Sequence, residues 1–195
     1  FTCSSCYFHL TNKTIQVCSG SFNSIDGREV PVTVYGEDAA AVTTALDQAI
    51  ESAHALENTF GAYAHDGLLV YFLPGERGGM EYAGAVMTGP RALRHEITHC
   101  WFARGVMPAN GNAGWIDEAI AEWQEMDYAS APRPLTRRAP SQLAGFSPYR
   151  RHTAIASYLA GSQLLAELDH LFTPGGLRPV LAQLFASKKR QVITT

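Results

Sequence analysis

The segment His95-Glu96-Ile97-Thr98-His99, followed after eighteen residues by Glu118, constrains the fold of this sequence more than any other. In an α-helix, residues four positions apart lie on one face, so the imidazoles of His95 and His99 can reach a common ion. Imidazoles and a carboxylate suit a catalytic zinc ion, which has three protein ligands and an open fourth position. The spacing therefore predicts two helices joined by a loop, with Glu118 brought to the two histidines around one Zn²⁺.

Chance is a poor explanation of this pattern. With 7 His in 195 residues, an HExxH segment arises at random in about one such sequence in 70. Requiring a glutamate at one fixed later position lowers this to about one in 1,200. Glu96 lies about 100° around the helix from His95, so its carboxylate is expected to face a water at the ion. In that place it would act as a general base.

Two further segments give the sequence a family resemblance. The segments HEITHCWF and WIDEAIAEW resemble the zinc site of the gluzincin aminopeptidases, the family of the alanyl aminopeptidases and leukotriene-processing hydrolases. The segment Gly78–Tyr82 (GGMEY) is similar to that family's GxMEN loop. Pro148-Tyr149, followed by a helical segment with Tyr158, resembles the part that carries the family's catalytic tyrosine. The resemblance extends from Val30 to Leu171.

The resemblance implies how a peptide would be bound. Glu81 is expected to hold the free α-amino group of the substrate by a charge-assisted hydrogen bond, which would make the enzyme an exopeptidase. Gly78, Gly79 and Met80 would bind the peptide beside it, since glycine lets two backbones approach closely.

The resemblance also implies roles for residues nearer the reacting carbonyl. Tyr149 would donate its hydroxyl to the oxyanion of the tetrahedral intermediate. Tyr158 is expected to pack in the core. Glu122, one turn after Glu118, is either a hydrogen-bond partner of a ligand histidine or a solvated helix residue.

The sequence departs from the family pattern at three places. Tyr82 stands where the family loop ends in Asn, which is expected to reshape the first substrate pocket. Ala103-Arg104 replaces the last two residues of the family's WFGN. Arg150–His152 follows the predicted catalytic tyrosine in place of a small or acidic-lysine pattern.

The predicted fold class is α+β, a thermolysin-like zinc peptidase catalytic domain. In it a small mixed sheet packs on zinc-bearing helices, with further helices at the C-terminal end. Residues 1–30 are expected to be the tail of an N-terminal β domain or leading strands, and residues 31–195 the catalytic domain, with a loop at 129–148. The chain begins at Phe1, and family members are several hundred residues longer, so it is expected to belong to a longer polypeptide.

Hydrophobic periodicity places the elements. Predicted helices are Asp38–Phe60, Pro90–Gly105, Trp115–Tyr128, His152–Leu171 and Leu177–Lys188. Extended segments are predicted at Thr14–Val17, Val30–Tyr35, Leu68–Leu73 and Ala83–Met87, with a glycine-rich loop at Pro74–Gly79.

The net charge and the hydropathy of the sequence argue against two classes of partner, nucleic acids and membranes. The net charge of −3 provides no basic surface for nucleic acid, and no apolar run approaches the ~20 residues of a membrane helix. Cys18 is either one of several free thiols or joined to Cys3 or Cys6 in an oxidising compartment, so localisation is left open.

The sequence thus predicts a zinc-dependent aminopeptidase acting on peptides. Two alternatives stay open. One is a zinc endopeptidase of thermolysin-like fold, in which Glu81 does not anchor an amine. The other is a metal-stabilised module of a larger protein that binds peptides without turnover.

Overall fold

A mixed β-sheet forms one layer of the fold, and its edge strand borders the site. The structure, a computed structural model, describes residues 14–109, 115–129, 153, 155–172 and 174–193. Within them, β1 (Gln16–Asn23) and β2 (Glu29–Gly36) form an antiparallel hairpin, and β3 (Leu68–Phe72) runs parallel to β2. Two short strands, β4 (Gly79–Tyr82) and β5 (Ala85–Thr88), complete the sheet in the order β1-β2-β3-β5-β4. Among the described residues, β4 pairs only with β5 in this sheet and forms its edge.

Helix α1 (Ala39–Phe60) connects β2 to β3 across one face of the sheet. Asp38 caps its first turn, where the side-chain oxygen accepts a hydrogen bond from the Ala41 N–H at 2.7 Å. Alternate residues of β2 face the helix and are fully buried, as period-2 patterning requires. The hydrophobic face of α1 and this face of the sheet make up the core under the site.

The remaining elements lie around the site. They are α2 (Leu93–Thr98), β6 (Met107–Pro108), α3 (Trp115–Glu125), α4 (Ile155–Leu171), α5 (Arg178–Lys188) and β7 (Val192–Ile193). Helix α4 packs against α3, and the short strands β6 and β7 pair in parallel. Among the described residues, none of the helices is both long and apolar enough to span a bilayer.

Two predicted helices extend further along the chain than the observed ones, and the strand predicted at Thr14–Val17 is β1, which extends to Asn23. The helix predicted over Pro90–Gly105 is shorter in the structure, where it consists of α2 alone. After Thr98 the backbone hydrogen bonds change partners and the chain enters tight turns. The Arg104 N–H donates to the His99 carbonyl at 2.8 Å, and Ala103 has φ of 139°. The predicted third helix ends at Glu125 rather than Tyr128, since Asp127 and Tyr128 take left-handed φ values of 52° and 55°.

The sequence does not predict the strand β4. The sequence predicts a glycine-rich loop through Gly79, and no period-2 pattern marks the four residues of β4. They become a strand because β5 provides backbone partners, so tertiary pairing decides the conformation.

The predicted α+β class, with a small mixed sheet and several helices, is confirmed. The predicted boundary at residue 30 falls within β2, and β1 belongs to the same sheet. Cys3 and Cys6 lie outside the described residues, so a disulfide to Cys18 stays a prediction.

Candidate metal centre

Three predicted ligands converge between α2 and α3. Glu118 Oε2 lies 3.2 Å from His95 Nε2 and 3.3 Å from His99 Nε2. Ligand atoms held about 2.0–2.1 Å from a tetrahedral ion lie about 3.3–3.4 Å from one another, so these two distances match the edges of a zinc tetrahedron. The donor set and its spacing therefore fit zinc.

The second nitrogen of each imidazole is already engaged. His95 Nδ1 lies 2.9 Å from Glu125 Oε1, and His99 Nδ1 lies 3.2 Å from the Phe102 carbonyl oxygen. Both partners accept hydrogen bonds, so each Nδ1 carries the proton and each Nε2 is left to bind the ion. This arrangement fixes the orientation of each ring and turns its Nε2 toward the place of the ion before any metal arrives.

Electrostatics keep the ligand carboxylate charged. Burial by itself would raise the pKa of Glu118, but hydrogen bonds from His95 and His99 hold it well below its ordinary value. Burial would lower the pKa of His95, and the bonds to Glu118 and Glu125 outweigh it and raise the pKa to about 10. In the metal-free protein, Glu118 and Glu125 therefore favour the protonated form of His95.

The predicted general base lies against the sheet edge. Burial raises the pKa of Glu96 to about 7, partly offset by His99 and His95. A Cβ built on Gly79 would come 2.5 Å from Glu96 Cγ and 2.6 Å from the Met87 carbonyl oxygen, so only glycine fits there. The β4 backbone and the Glu96 carboxylate are therefore in direct contact.

Glu81 also reaches this centre. One oxygen of Glu81, one oxygen of Glu96 and one ring nitrogen of His99 lie within 4.8 Å of one another. Glu81 is also paired, since Arg104 Nη2 donates to its Oε1 at 2.9 Å and to its backbone oxygen at 3.2 Å. Met80, next to it on β4, is exposed.

The carboxylate that hydrogen-bonds His95 belongs to Glu125, whereas the sequence suggests Glu122 for this role. The Glu122 carboxylate lies in the same group, within 4.8 Å of Glu125 and His95. Glu125 is seven residues after Glu118, nearly two full helical turns, so it returns to the same face. That spacing could have identified it.

Tyr158, which the sequence assigns to the core, contacts the ligands. Its ring stacks on His95 with centroids 6.2 Å apart and planes 17° apart. Burial raises the pKa of the Tyr158 hydroxyl, and so does its hydrogen bond to Glu118. Nothing in the sequence separates such a tyrosine from a core residue, because the contact depends on how α4 crosses α3. Tyr149 lies outside the described residues.

No model of a known protein family matches the sequence, and no curated protein matches it. Solved structures do match. Aminopeptidase A of Legionella pneumophila, in complex with aspartic acid, is 18% identical with a TM-score of 0.67, over 93% of this chain and 25% of that one. The M1 zinc metallopeptidase of Deinococcus radiodurans is 15% identical with a TM-score of 0.67, over 92% of this chain and 46% of that one.

A variant of the Deinococcus enzyme, bound to a Tyr-Ser-Ala substrate, is 17% identical with a TM-score of 0.68, over 92% of this chain and 46% of that one. The chain thus spans a quarter to just under half of these solved chains. At these identities the likeness concerns the fold, and the fold is that of M1 zinc peptidase structures. The resemblance stated from the sequence motifs is confirmed at that level.

Proposed function

We propose that this chain is the catalytic part of a zinc-dependent aminopeptidase of the gluzincin family. The observation that carries the proposal is the position of Glu81, whose carboxylate lies within 4.8 Å of Glu96 and His99. A carboxylate so close to the general base can hold the terminal ammonium of a peptide whose first carbonyl is at the metal centre. The fold of zinc peptidase structures supports the same conclusion.

The metal would be held by His95, His99 and Glu118. When bound, zinc supplies Lewis acidity, which polarises a carbonyl and lowers the pKa of a coordinated water. The chain contributes the preformed ligand geometry, because Glu125 and the Phe102 carbonyl already orient the two rings.

Glu96 is the proposed proton carrier. Burial raises its pKa to about 7 in the metal-free protein. A carboxylate with a raised pKa could accept a proton from water and, as the acid, return it to the leaving amine. Glu81 would orient the substrate, and β4 offers an exposed sheet edge along which a peptide could pair. Tyr149 is proposed as the oxyanion donor.

One observation favours the endopeptidase alternative. Arg104 already occupies one oxygen of Glu81, so that carboxylate is not an unpaired anchor. If the pair excluded an ammonium, N-terminal recognition would fail and internal bonds would be cleaved.

Product mapping by mass spectrometry separates these alternatives. Zinc-loaded protein is incubated with one peptide bearing a free N-terminus and with the same peptide acetylated. Stepwise loss of N-terminal residues from the free peptide alone is the expected result. Internal cleavage of both peptides would establish the endopeptidase, and no cleavage of either would favour a binding module.

A matched pair of variants assigns the anchor. Glu81→Gln should raise KM for free-amine peptides at least ~10-fold, since a charged hydrogen bond is lost. Glu76→Gln changes an exposed glutamate of the preceding loop and should leave KM unchanged. Equal KM values for the two variants would contradict the role given to Glu81.

A further inference from the structure

The ion pair between Glu81 and Arg104 connects the metal centre to a separate cavity. Both side chains are mostly buried, with 17% of Glu81 and 13% of Arg104 exposed. The Glu81 end lies beside Glu96 and His99. The Arg104 end lines a cavity of about 540 Å³, together with the turn Ala83-Gly84 and residues of the C-terminal part of the chain.

The backbone around Arg104 is arranged to aim it at β4. Ala103 is buried and has φ of 139°, a conformation that a non-glycine residue adopts only under strain. A Cβ on Gly105 would come 2.5 Å from the Cys100 carbonyl oxygen and 2.6 Å from that of Trp101. The turn thus has little freedom, and it fixes the guanidinium against Glu81.

The other basic side chains that line the cavity, Arg190 and His65, contact backbone carbonyl oxygens of the protein. Arg190 donates through Nε and Nη2 to the Ala64 carbonyl, at 2.9 and 2.7 Å, and its Nη2 lies 3.7 Å from Asp66. Burial lowers the pKa of His65, whose Nε2 lies 3.1 Å from the Cys100 carbonyl oxygen. Arg104 is therefore the cation that joins this cavity to the substrate anchor.

An ammonium at Glu81 would upset the charge balance of this pair. One partly buried carboxylate would then face two cations, the substrate amine and Arg104. Charges in a partly buried site are costly unless each has an opposite partner. A substrate that brings an anion next to its amine restores the balance, because its amine can pair with Glu81 and its anion with Arg104.

We propose that Arg104 is a specificity-determining residue, and that the site selects peptides whose first residue is acidic. This rests on the proposed function, since it takes Glu81 as the anchor of the amine. With a neutral first side chain, either the substrate amine or Arg104 has no anionic partner. A basic first side chain adds a third cation. The expected order of binding is acidic, then neutral, then basic.

The test uses free amino acids, which report binding without turnover. L-Glutamate and L-glutamine have nearly the same shape and share the α-amine and the α-carboxylate. In both compounds the α-carboxylate would lie at the metal centre, where the first carbonyl of a peptide is proposed to lie, so the ratio of their affinities isolates the side-chain charge at Arg104. Isothermal titration of zinc-loaded protein should show L-glutamate binding at least ~10-fold tighter than L-glutamine, with L-lysine weakest. Equal affinities, or no saturable binding by either, would overturn the proposal.

Variants assign the preference to Arg104. Arg104→Gln should bring the ratio close to one, and Arg104→Lys should retain part of it, since lysine keeps the charge but not the planar fork. Arg91→Gln, at an exposed arginine before α2, is the control that should leave the ratio intact. A ratio unchanged in Arg104→Gln contradicts the assignment. If that variant does not fold, the wild-type ratio decides alone.

A further compound distinguishes failure of the amine anchor at Glu81 from failure of the selectivity for acidic side chains. N-acetyl-L-glutamate keeps the side-chain anion and loses the amine, so it should bind at least ~10-fold more weakly than L-glutamate. Equal binding of the two would remove the amine anchor and with it the proposed function. Equal binding of glutamate and glutamine, with cleavage of free-amine peptides only, would remove the selectivity and leave the aminopeptidase.

Discussion

The two sides of the metal centre are built differently. On the helical side, the ligands from α2 and α3 each have a further partner, so ring orientation and charge are set by the protein alone. On the sheet side, Glu81 lies on an edge strand and is shared with Arg104. In the proposed enzyme, the helical side would bind the ion, and the sheet side would determine which substrate is presented to it. Of the three departures from the family pattern, those at Tyr82 and Arg104 lie on the sheet side, and the one at Arg150–His152 lies outside the described residues.

The largest effect should come from the residue between the two sides. Glu96→Gln preserves shape and removes the proton acceptor, so we expect kcat/KM to fall by ~10²–10⁴-fold. Zinc content, measured by atomic emission, should not change, because Glu96 is not one of the three converging ligands. Full activity in this variant would contradict the mechanism, and loss of zinc would contradict the division between the two sides.

The helical side can be tested without touching a ligand. Glu125→Gln weakens the acceptor at His95 Nδ1 and should lower zinc affinity by roughly 10–100-fold in competition with a chelator. Glu122→Gln, one turn earlier on the same helix, is the matched control and should change affinity by less than about 3-fold. The reverse order would restore the assignment suggested by the sequence.

A smaller effect is expected from Tyr158. Tyr158→Phe keeps the ring over His95 and removes the hydroxyl that hydrogen-bonds Glu118. The loss of about 1 kcal/mol corresponds to ~5-fold weaker zinc binding. Tyr82→Phe, on the exposed side of β4, should leave zinc affinity unchanged, and an equal loss in both variants would mean that the hydroxyl contact does not matter.

The same division decides what could be predicted from sequence. The two proposed histidine ligands follow from helical spacing, since the i, i+4 relation of His95 and His99 is a local property. Glu125 could have been found by the same rule. Arg104 could not, because its contact depends on a tight turn at Ala103 that no periodicity marks. The strand β4 could not be predicted from sequence for a related reason, since its strand conformation depends on pairing with β5.

The stability of the metal-free protein and the extra stability that zinc adds should change with pH in opposite directions. In the metal-free protein His95 has its pKa raised to about 10 by Glu118 and Glu125, against the effect of burial. A raised folded-state pKa gives stability that is complete below the unfolded value of about 6.5 and is lost as the pH rises toward 10.

Zinc requires the same nitrogen without its proton, so its stabilising effect should grow over this range. We therefore expect the Tm of the chelator-treated protein to fall by a few degrees between pH 6.5 and 9, at ~2–4 °C per kcal/mol. The rise in Tm on adding zinc should increase from pH 6 to 8. His170→Gln, at the far end of α4, is the control. A metal-free Tm that rises with pH would mean that His95 is not held protonated by its two glutamates, and that the helical side is less preorganised than its geometry indicates.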